Sequence, residues 1–179
     1  MPRLLNSLLN GEIDFKYPDN KNWRQDRKQG FAIAYSAPID TYTDGVLVLP
    51  EHKGRGLAQF HRLGIIRGFT PWALRGAIAK GQVTLVENST MLGMLSQVQL
   101  GRSDGAYLNI NVARHILTLA PPDQAKLVFD DSLPYDRDSY ALSTLKHPEL
   151  IAELSRYLER EKDSVAQIRA RFLAKLERD

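Results

Sequence analysis

The sequence predicts an α/β protein with mainly parallel sheets, and three features of the chain carry that prediction. Short apolar or β-branched runs, Val46-Leu47-Val48-Leu49, Leu63-Gly64-Ile65-Ile66 and Val83-Thr84-Leu85-Val86, alternate with segments whose apolar residues recur at helical spacing. The runs are apolar at successive positions, as in strands covered on both faces. At Leu63 to Pro71 a strand passes through Arg67-Gly68-Phe69-Thr70 straight into a helix, with Thr70 suited to the N-cap and Pro71 to the first helical position. A helix entered this way aims its free N–H groups beyond the carboxyl end of the strand, where α/β sheets hold anionic or strongly polar ligands. The same residues also suit an ordinary strand-to-helix turn that holds nothing.

The other elements follow in order. Leu4, Leu5, Leu8 and Leu9 mark an amphipathic helix that stops at Asn10-Gly11. Glu12 to Phe15 reads as a short strand, and the polar stretch from Tyr17 to Gln29 as a long surface loop of the kind that often carries function. Phe31 to Tyr35 is apolar enough for a buried strand, ended by Ser36-Ala37-Pro38, and Asp44-Gly45 signals a turn before Val46 to Leu49. The helix after Pro71 carries Trp72, Ala73, Leu74, Ala77 and Ile78. Asn88-Ser89-Thr90 offers caps for a helix over Met91 to Val98, ending near Leu100-Gly101. Asp104 to Leu108 is a strand that leads through Asn109 into a helix over Val112 to Leu119, which Pro121-Pro122 stops. Lys126 to Phe129 and Tyr140 to Ser143 are further strands. Leu150, Ile151, Leu154 and Leu158 define a helix from Pro148, and Ser164 suits the cap of a last one carrying Val165, Ile168, Phe172 and Leu176. The charged residues between them form a solvated face.

Composition removes several classes of function. The net charge of +3, from 24 basic and 21 acidic residues, is too small to predict nucleic-acid binding. With no cysteine, disulfides, thiol catalysis and thiolate metal sites are excluded. No apolar run approaches the length of a membrane span, and the start of the chain has no signal peptide. His52, His61, His115 and His147 lack metal-ligand spacing, and neither a Gly-x-Ser-x-Gly elbow nor a Walker loop is present. Gly101 to Gly105 lies between a helix and a strand, the reverse of the dinucleotide-binding order. Asp130, Asp131, Asp136 and Asp138 cluster near Pro134 in what reads as a turn or crossover; acid–base work would need them to converge in a pocket. The expectation is a binding protein without catalysis, metal or cofactor.

The order of motifs adds to this. A helix ends in Leu9-Asn10-Gly11-Glu12-Ile13-Asp14, and a strand ends in Tyr35-Ser36-Ala37-Pro38-Ile39. Asp44-Gly45-Val46-Leu47-Val48-Leu49-Pro50 and Gly64-Ile65-Ile66-Arg67-Gly68-Phe69-Thr70 follow. A helix then leads to Gly101-Arg102-Ser103-Asp104-Gly105-Ala106-Tyr107-Leu108-Asn109, with Tyr140-Ala141-Leu142-Ser143 and His147-Pro148-Glu149-Leu150-Ile151 late in the chain. This sequence of motifs, over essentially the whole chain, resembles the family 3 extracellular (periplasmic) solute-binding proteins, the amino-acid-type receptors of ABC importers.

The resemblance implies a periplasmic-binding-protein-like fold of type II, in which two α/β lobes close on a small ligand in the cleft between them. It places one lobe at 42–136 and the other at 1–41 plus 137–179, with hinges near Tyr42–Asp44 and Arg137–Ser139. The chain starts at what resembles the second helix of the end-built lobe, so that lobe is expected to lack its first strand–helix–strand unit. The resulting uncovered sheet edge predicts self-association or low stability. The resemblance also implies a membrane permease as partner and the periplasm as location; without a signal peptide, a chain complete as given would be cytoplasmic. Gly68, Phe69 and Thr70 resemble the turn that holds the ligand carboxylate, with Arg67 beside them either reaching the ligand or pairing with a surface acid. Asn109 falls where amino-acid receptors often carry an ammonium-binding aspartate; an amide supplies no charge there. Ser36 and Ala37 resemble the opposite wall. Tyr17, Trp23, Tyr35 and Tyr107 are aromatic candidates, and Arg24 and Arg27 lie in the loop before the Phe31 strand; the family's carboxylate-clamping arginine usually follows that loop. The implied function is non-catalytic binding of an amino-acid-like solute or small organic acid. The alternatives are a signalling or interaction domain of the same fold, or a non-functional truncated fragment.

Overall fold

Val46, Leu47 and Val48 point alternately to opposite faces of one strand, yet all three are buried. Their sheet must therefore be covered on both sides. The computed structural model describes residues 2–119 and 127–176, with side chains described for 3–119 and 127–172. It divides the chain into two units, Met1–Thr41 with Asp138–Asp179, and Tyr42–Arg137. The strands in chain order are β1 (Lys16–Asp19), β2 (Ala34–Tyr35), β3 (Asp40–Val48), β4 (Arg62–Ile66), β5 (Thr84–Asn88), β6 (Gly105–Asn109), β7 (Val128–Phe129) and β8 (Asp136–Thr144). The helices are α1 (Pro2–Leu9), α2 (Gln25–Lys28), α3 (Arg75–Ala79), α4 (Met91–Gln99), α5 (Ile110–Thr118), α6 (Pro148–Arg160) and α7 (Lys162–Leu176). The chain passes from one unit to the other in β3 and back in β8.

In the unit Tyr42–Arg137, β3 pairs with β7 and β6, β6 with β4, and β4 with β5. Alternate residues feed two cores. Val46, Val48, Leu63, Ile65 and Tyr107 pack with Leu74 and Ala77 on one face. Leu47, Ala106 and Leu108 pack with Met94, Leu95 and Val98 of α4 and Ile110 and Ala113 of α5 on the other. At roughly 25 cal/mol per Å2 of apolar surface, burying such side chains on both faces is the main term favouring this unit. Thr90 caps α4 by accepting from the Gly93 N–H at 3.1 Å.

Parallel pairing joins β4 to β5 and β4 to β6, where crossover helices require it; β3 with β6 and β7, and β1 and β2 with β8, are antiparallel. The expectation of mainly parallel sheets is thus corrected for the strands in which the chain changes unit. Asp44-Gly45 is not a turn but lies inside β3. A Cβ at Gly45 would come 2.5 Å from the Phe129 ring and 3.1 Å from the Tyr135 Cβ, so the glycine serves close packing, not chain reversal.

The other unit is built around β8, with β1 and β2 antiparallel to it. α1 buries Leu5 and Leu8 and ends as expected, Gly11 taking a φ of +72°. The expected strand at Glu12 to Phe15 is a turn, because the Glu12 and Ile13 amides return to the Ser7 carbonyl; pairing starts at Lys16 instead. The expected loop from Tyr17 to Gln29 therefore contains most of β1 and all of α2. Of Phe31 to Tyr35 only β2 is extended, since the Phe31 and Ile33 amides are drawn into tight turns and Phe31 is exposed. α7 begins ahead of Ser164. Pro121-Pro122, Lys126 and the Leu176 side chain lie outside the described residues.

One carboxylate knits this unit together. Asp19 accepts from Lys16 Nζ and Lys28 Nζ at 2.9 Å each, from Ser143 Oγ at 2.7 Å and from the Asn20 N–H at 2.8 Å. Burial alone would raise its carboxyl, but the Ser143 hydroxyl and the two ammonium groups outweigh that and hold it below the ordinary range. A depressed carboxyl contributes stability that is present above the ordinary carboxylate pKa and is lost as the pH falls through the native value. Asp19→Ala leaves two buried ammonium groups without their counter-ion. The expected outcome is a loss of about 3–5 kcal/mol in urea unfolding at neutral pH, shrinking toward acid; a loss below about 1 kcal/mol would contradict this role.

Candidate functional site

β4 and β6 run parallel, so their carboxyl ends, Ile66 and Asn109, lie at one edge of the sheet. β3 runs the other way and brings Asp44 opposite Asn109 at that same edge. The turn after β4, the cap of α5 and the entry of β3 therefore meet there, all within the unit Tyr42–Arg137. This is the end at which α/β sheets bind ligands.

Gly68 makes the turn with a φ of +80°, a conformation that suits glycine. The Phe69 N–H donates to the Ile66 carbonyl at 2.9 Å and the Arg67 N–H to the Asn88 carbonyl at 2.9 Å, so these amides close the local backbone. Phe69 packs on Tyr107, ring centres 6.0 Å apart. The expected cap at Thr70 is corrected. Pro71 itself holds the cap position with no side-chain hydrogen bond, and a 3-10 turn over Trp72–Leu74 precedes α3. α3 has 5 residues and is too short to present a strong positive end. Arg67 Nε lies 3.3 Å from Glu87 Oε2, both exposed, which favours the surface-acid alternative.

Asn109 caps α5, its Oδ1 accepting from the Asn111 and Val112 amides at 3.0 and 3.1 Å. Its side chain also hydrogen-bonds Asp44, which is 9% exposed. Burial, then repulsion from Asp136, pushes the Asp44 carboxyl up to about 6, with Asn109 opposing. On the same sheet face, diagonal to Asp44, stands Tyr107. Its hydroxyl is fully buried and has no hydrogen-bond partner, the Ala73 N–H beside it lying outside hydrogen-bond geometry. Burial and the nearby Asp44 raise the Tyr107 hydroxyl well above the usual phenol range. Sequence reasoning missed Asp44 by taking Asp-Gly as a turn. The signal was its parity with Tyr42, Val46 and Val48, which are buried on alternate positions of one strand.

The remaining expected residues lie in the other unit. Tyr17 and Trp23 gather on the Tyr140 ring, with centroids 6.3 and 5.9 Å away, and Lys16 Nζ sits 5.8 Å from the Trp23 ring centre. The Ser36 hydroxyl donates to the Ala37 carbonyl and accepts from the Leu142 N–H, while the Ala37 N–H donates to Ser155 Oγ at 2.9 Å. These groups hold β2 to β8 and α6. Arg27 reaches Asn6 Oδ1 at 3.2 Å, and Arg24 pairs with Asp26.

The aspartates near Pro134 have separate tasks. Asp130 accepts from the Gly54 and Ser132 amides and the Ser132 hydroxyl, Asp131 pairs with Lys53, and Asp138 accepts from Ser139 and Asn22; only Asp136 faces Asp44. A cavity of about 70 Å3 lies near Val48 and Phe60, and its Asp130 carboxylate is already engaged. Among the described residues no helix is long and apolar enough to cross a membrane.

Solved structures share this fold. An amino acid ABC transporter substrate-binding protein from Streptococcus pneumoniae, bound to L-arginine, is 18% identical with a TM-score of 0.69, covering 97% of this chain and 71% of its own. The GluR0 ligand binding core with L-glutamate is 12% identical with a TM-score of 0.70, covering 94% and 76%. The ancestral amino acid-binding protein AncCDT-1, a precursor of cyclohexadienyl dehydratase, is 17% identical with a TM-score of 0.63, covering 96% and 70%. No protein-family model and no curated protein matches the sequence. The architecture is that of the type II periplasmic-binding-protein-like fold, most of whose matched structures are binding proteins.

Because folding raises the Asp44 carboxyl to about 6, the native state holds that proton more tightly than the unfolded chain. Its contribution favours the fold at acid pH and is lost as the pH rises through about 6. Asp44→Asn is expected to stabilise the protein near neutral pH by on the order of 1–3 kcal/mol, with the gain vanishing toward about pH 4. Urea melts across that range check this; a gain independent of pH would contradict it.

Proposed function

We propose that this protein binds a small polar solute, amino-acid-like or a small organic acid, without catalysing a reaction on it. It serves as the substrate-binding component of an ABC importer, in the periplasm, with a membrane permease as partner. The observation that carries this reading is the meeting of the Gly68–Thr70 turn, Asn109 and the buried Asp44 at the carboxyl edge of the parallel strands. Structures of the same fold hold L-arginine and L-glutamate, which supports a solute of that size and polarity. The separate engagement of Asp130, Asp131 and Asp138 speaks against acid–base use of those three carboxylates near Pro134.

Titration calorimetry and thermal shift against a panel of L-amino acids and small mono- and dicarboxylates test the reading. One class is expected to bind saturably at a single site and, at about a hundred times its Kd, to stabilise the fold by about 2.7 kcal/mol. Gly68→Val, which forces a β-branched residue into the left-handed region, is expected to weaken that binding. Silence of the wild-type protein toward every class overturns the proposal.

Self-association is a further part of it. β1 pairs with β8 alone among the described strands, which supports an open edge. Sedimentation velocity is expected to show a sedimentation coefficient that rises with protein concentration; a constant monomer value would remove this part.

A further inference from the structure

Asp44, Asp136, Tyr107 and Asn109 form a group of oxygens with no matching positive charge. Asp44 makes no ion pair among the described residues, and Asp136 adds a second carboxylate beside it. Tyr107 is 1% exposed, and its buried hydroxyl, within the electrostatic reach of the same carboxylates, has no hydrogen-bond partner among the described residues. Asn109 commits its carbonyl oxygen to the α5 amides and turns its amide toward Asp44, so it supplies one neutral donor where a charge is needed. A buried Asp44 with the part-exposed Asp136 carboxylate beside it and an unpartnered hydroxyl is electrostatically costly and under-supplied with donors. The species that cures both faults is a cation that carries several N–H donors and no acceptor.

We infer that Asp44 and the Tyr107 hydroxyl form a subsite for the ammonium or guanidinium group of an organic cation, entering at the edge where Thr70, Asn109 and Asp136 remain part-exposed. The inference rests on the receptor reading and narrows it. The solute carries a positive group, and Asp44, on β3, supplies the countercharge that Asn109 lacks. Phe69, packed on Tyr107, forms the apolar flank.

The groups around Asp44 fix the pH behaviour. On β6 they are Tyr107 and Asn109; at the start of β8, Asp136 and Arg137, the latter turned to Thr43 Oγ1 at 3.3 Å and to the Tyr135 ring. On β3, the Tyr42 hydroxyl lies 3.5 Å from Asp136, and beyond the turn Arg75 stacks on Trp72. None of the neighbouring cations pairs with Asp44. A bound cation favours ionised Asp44, so affinity falls as the pH drops through about 6.

The test titrates wild type and Asp44→Asn by calorimetry with L-arginine, L-lysine and agmatine as cations and with succinate and glutarate as acids, at about pH 5 and about pH 8. The cations are expected to bind wild type at the higher pH. They should weaken about tenfold or more at the lower pH and about tenfold or more in Asp44→Asn, while its thermal unfolding stays cooperative. Carbon-13 NMR of the wild-type Asp44 carboxyl should show its titration midpoint fall on saturation with the cation. Equal cation affinity in wild type and Asp44→Asn, or a midpoint that does not move, overturns the subsite. Binding of the acids alone overturns it and leaves the receptor reading standing; silence toward every probe overturns both.

Discussion

The end-built unit depends on a single buried anion. Asp19 draws Lys16 from its own strand, Lys28 from α2 and Ser143 from β8 onto one carboxylate. Two ammonium groups against one carboxylate leave an excess positive charge inside, and burial pushes Lys28 below the usual lysine range despite Asp19. The remaining donors go to the Pro18 and Asn20 carbonyls, so polar satisfaction, more than apolar area, defines this region. Around it Tyr35, Trp23 and Tyr140 supply aromatic faces, with Lys28 Nζ 5.1 Å from the Tyr35 ring centre.

The contiguous unit obeys a different rule. Its sheet is sealed on both faces by apolar side chains except at β5, where Thr84, Leu85 and Glu87 are exposed, so the expected buried strand there is corrected to an exposed edge. Asp44 is the buried exception, a carboxylate on a face otherwise given to Tyr42, Val46 and Val48. Departures from a consistent apolar pattern concentrate at functional positions, because the lost stability must be offset by something the site does.

Much of this was legible in the sequence. The runs at Val46, Leu63 and the helix face of Met94, Leu95 and Val98 predicted a doubly covered sheet because burial on both sides leaves no polar alternation to misread. Gly11 and Thr90 predicted their helix ends from local chemistry alone. The misreadings have a common cause, which is that tertiary pairing outweighed local propensity. Thr70 and Pro71 match a helix start, but the Phe69 ring packing on Tyr107 carries the chain through a 3-10 turn first. Asp44-Gly45 matches a reversal, but Phe129 and Tyr135 need the missing Cβ inside a strand. Lys16 and Lys28 look like surface residues of a polar loop, and no periodicity announces that Asp19 waits for them.

The two units also differ in how their sequence is distributed. Tyr42–Arg137 is one uninterrupted stretch, whereas its companion joins the first 41 residues to those from Asp138 onward. On a ribosome, the inner unit has every strand it needs once Arg137 has left the exit tunnel. Lys16, Asp19 and β2 must wait for β8 to be translated before they have a partner. Nascent chains thus carry one finished body and one unfinished flank until β8 has followed Arg137 out of the tunnel.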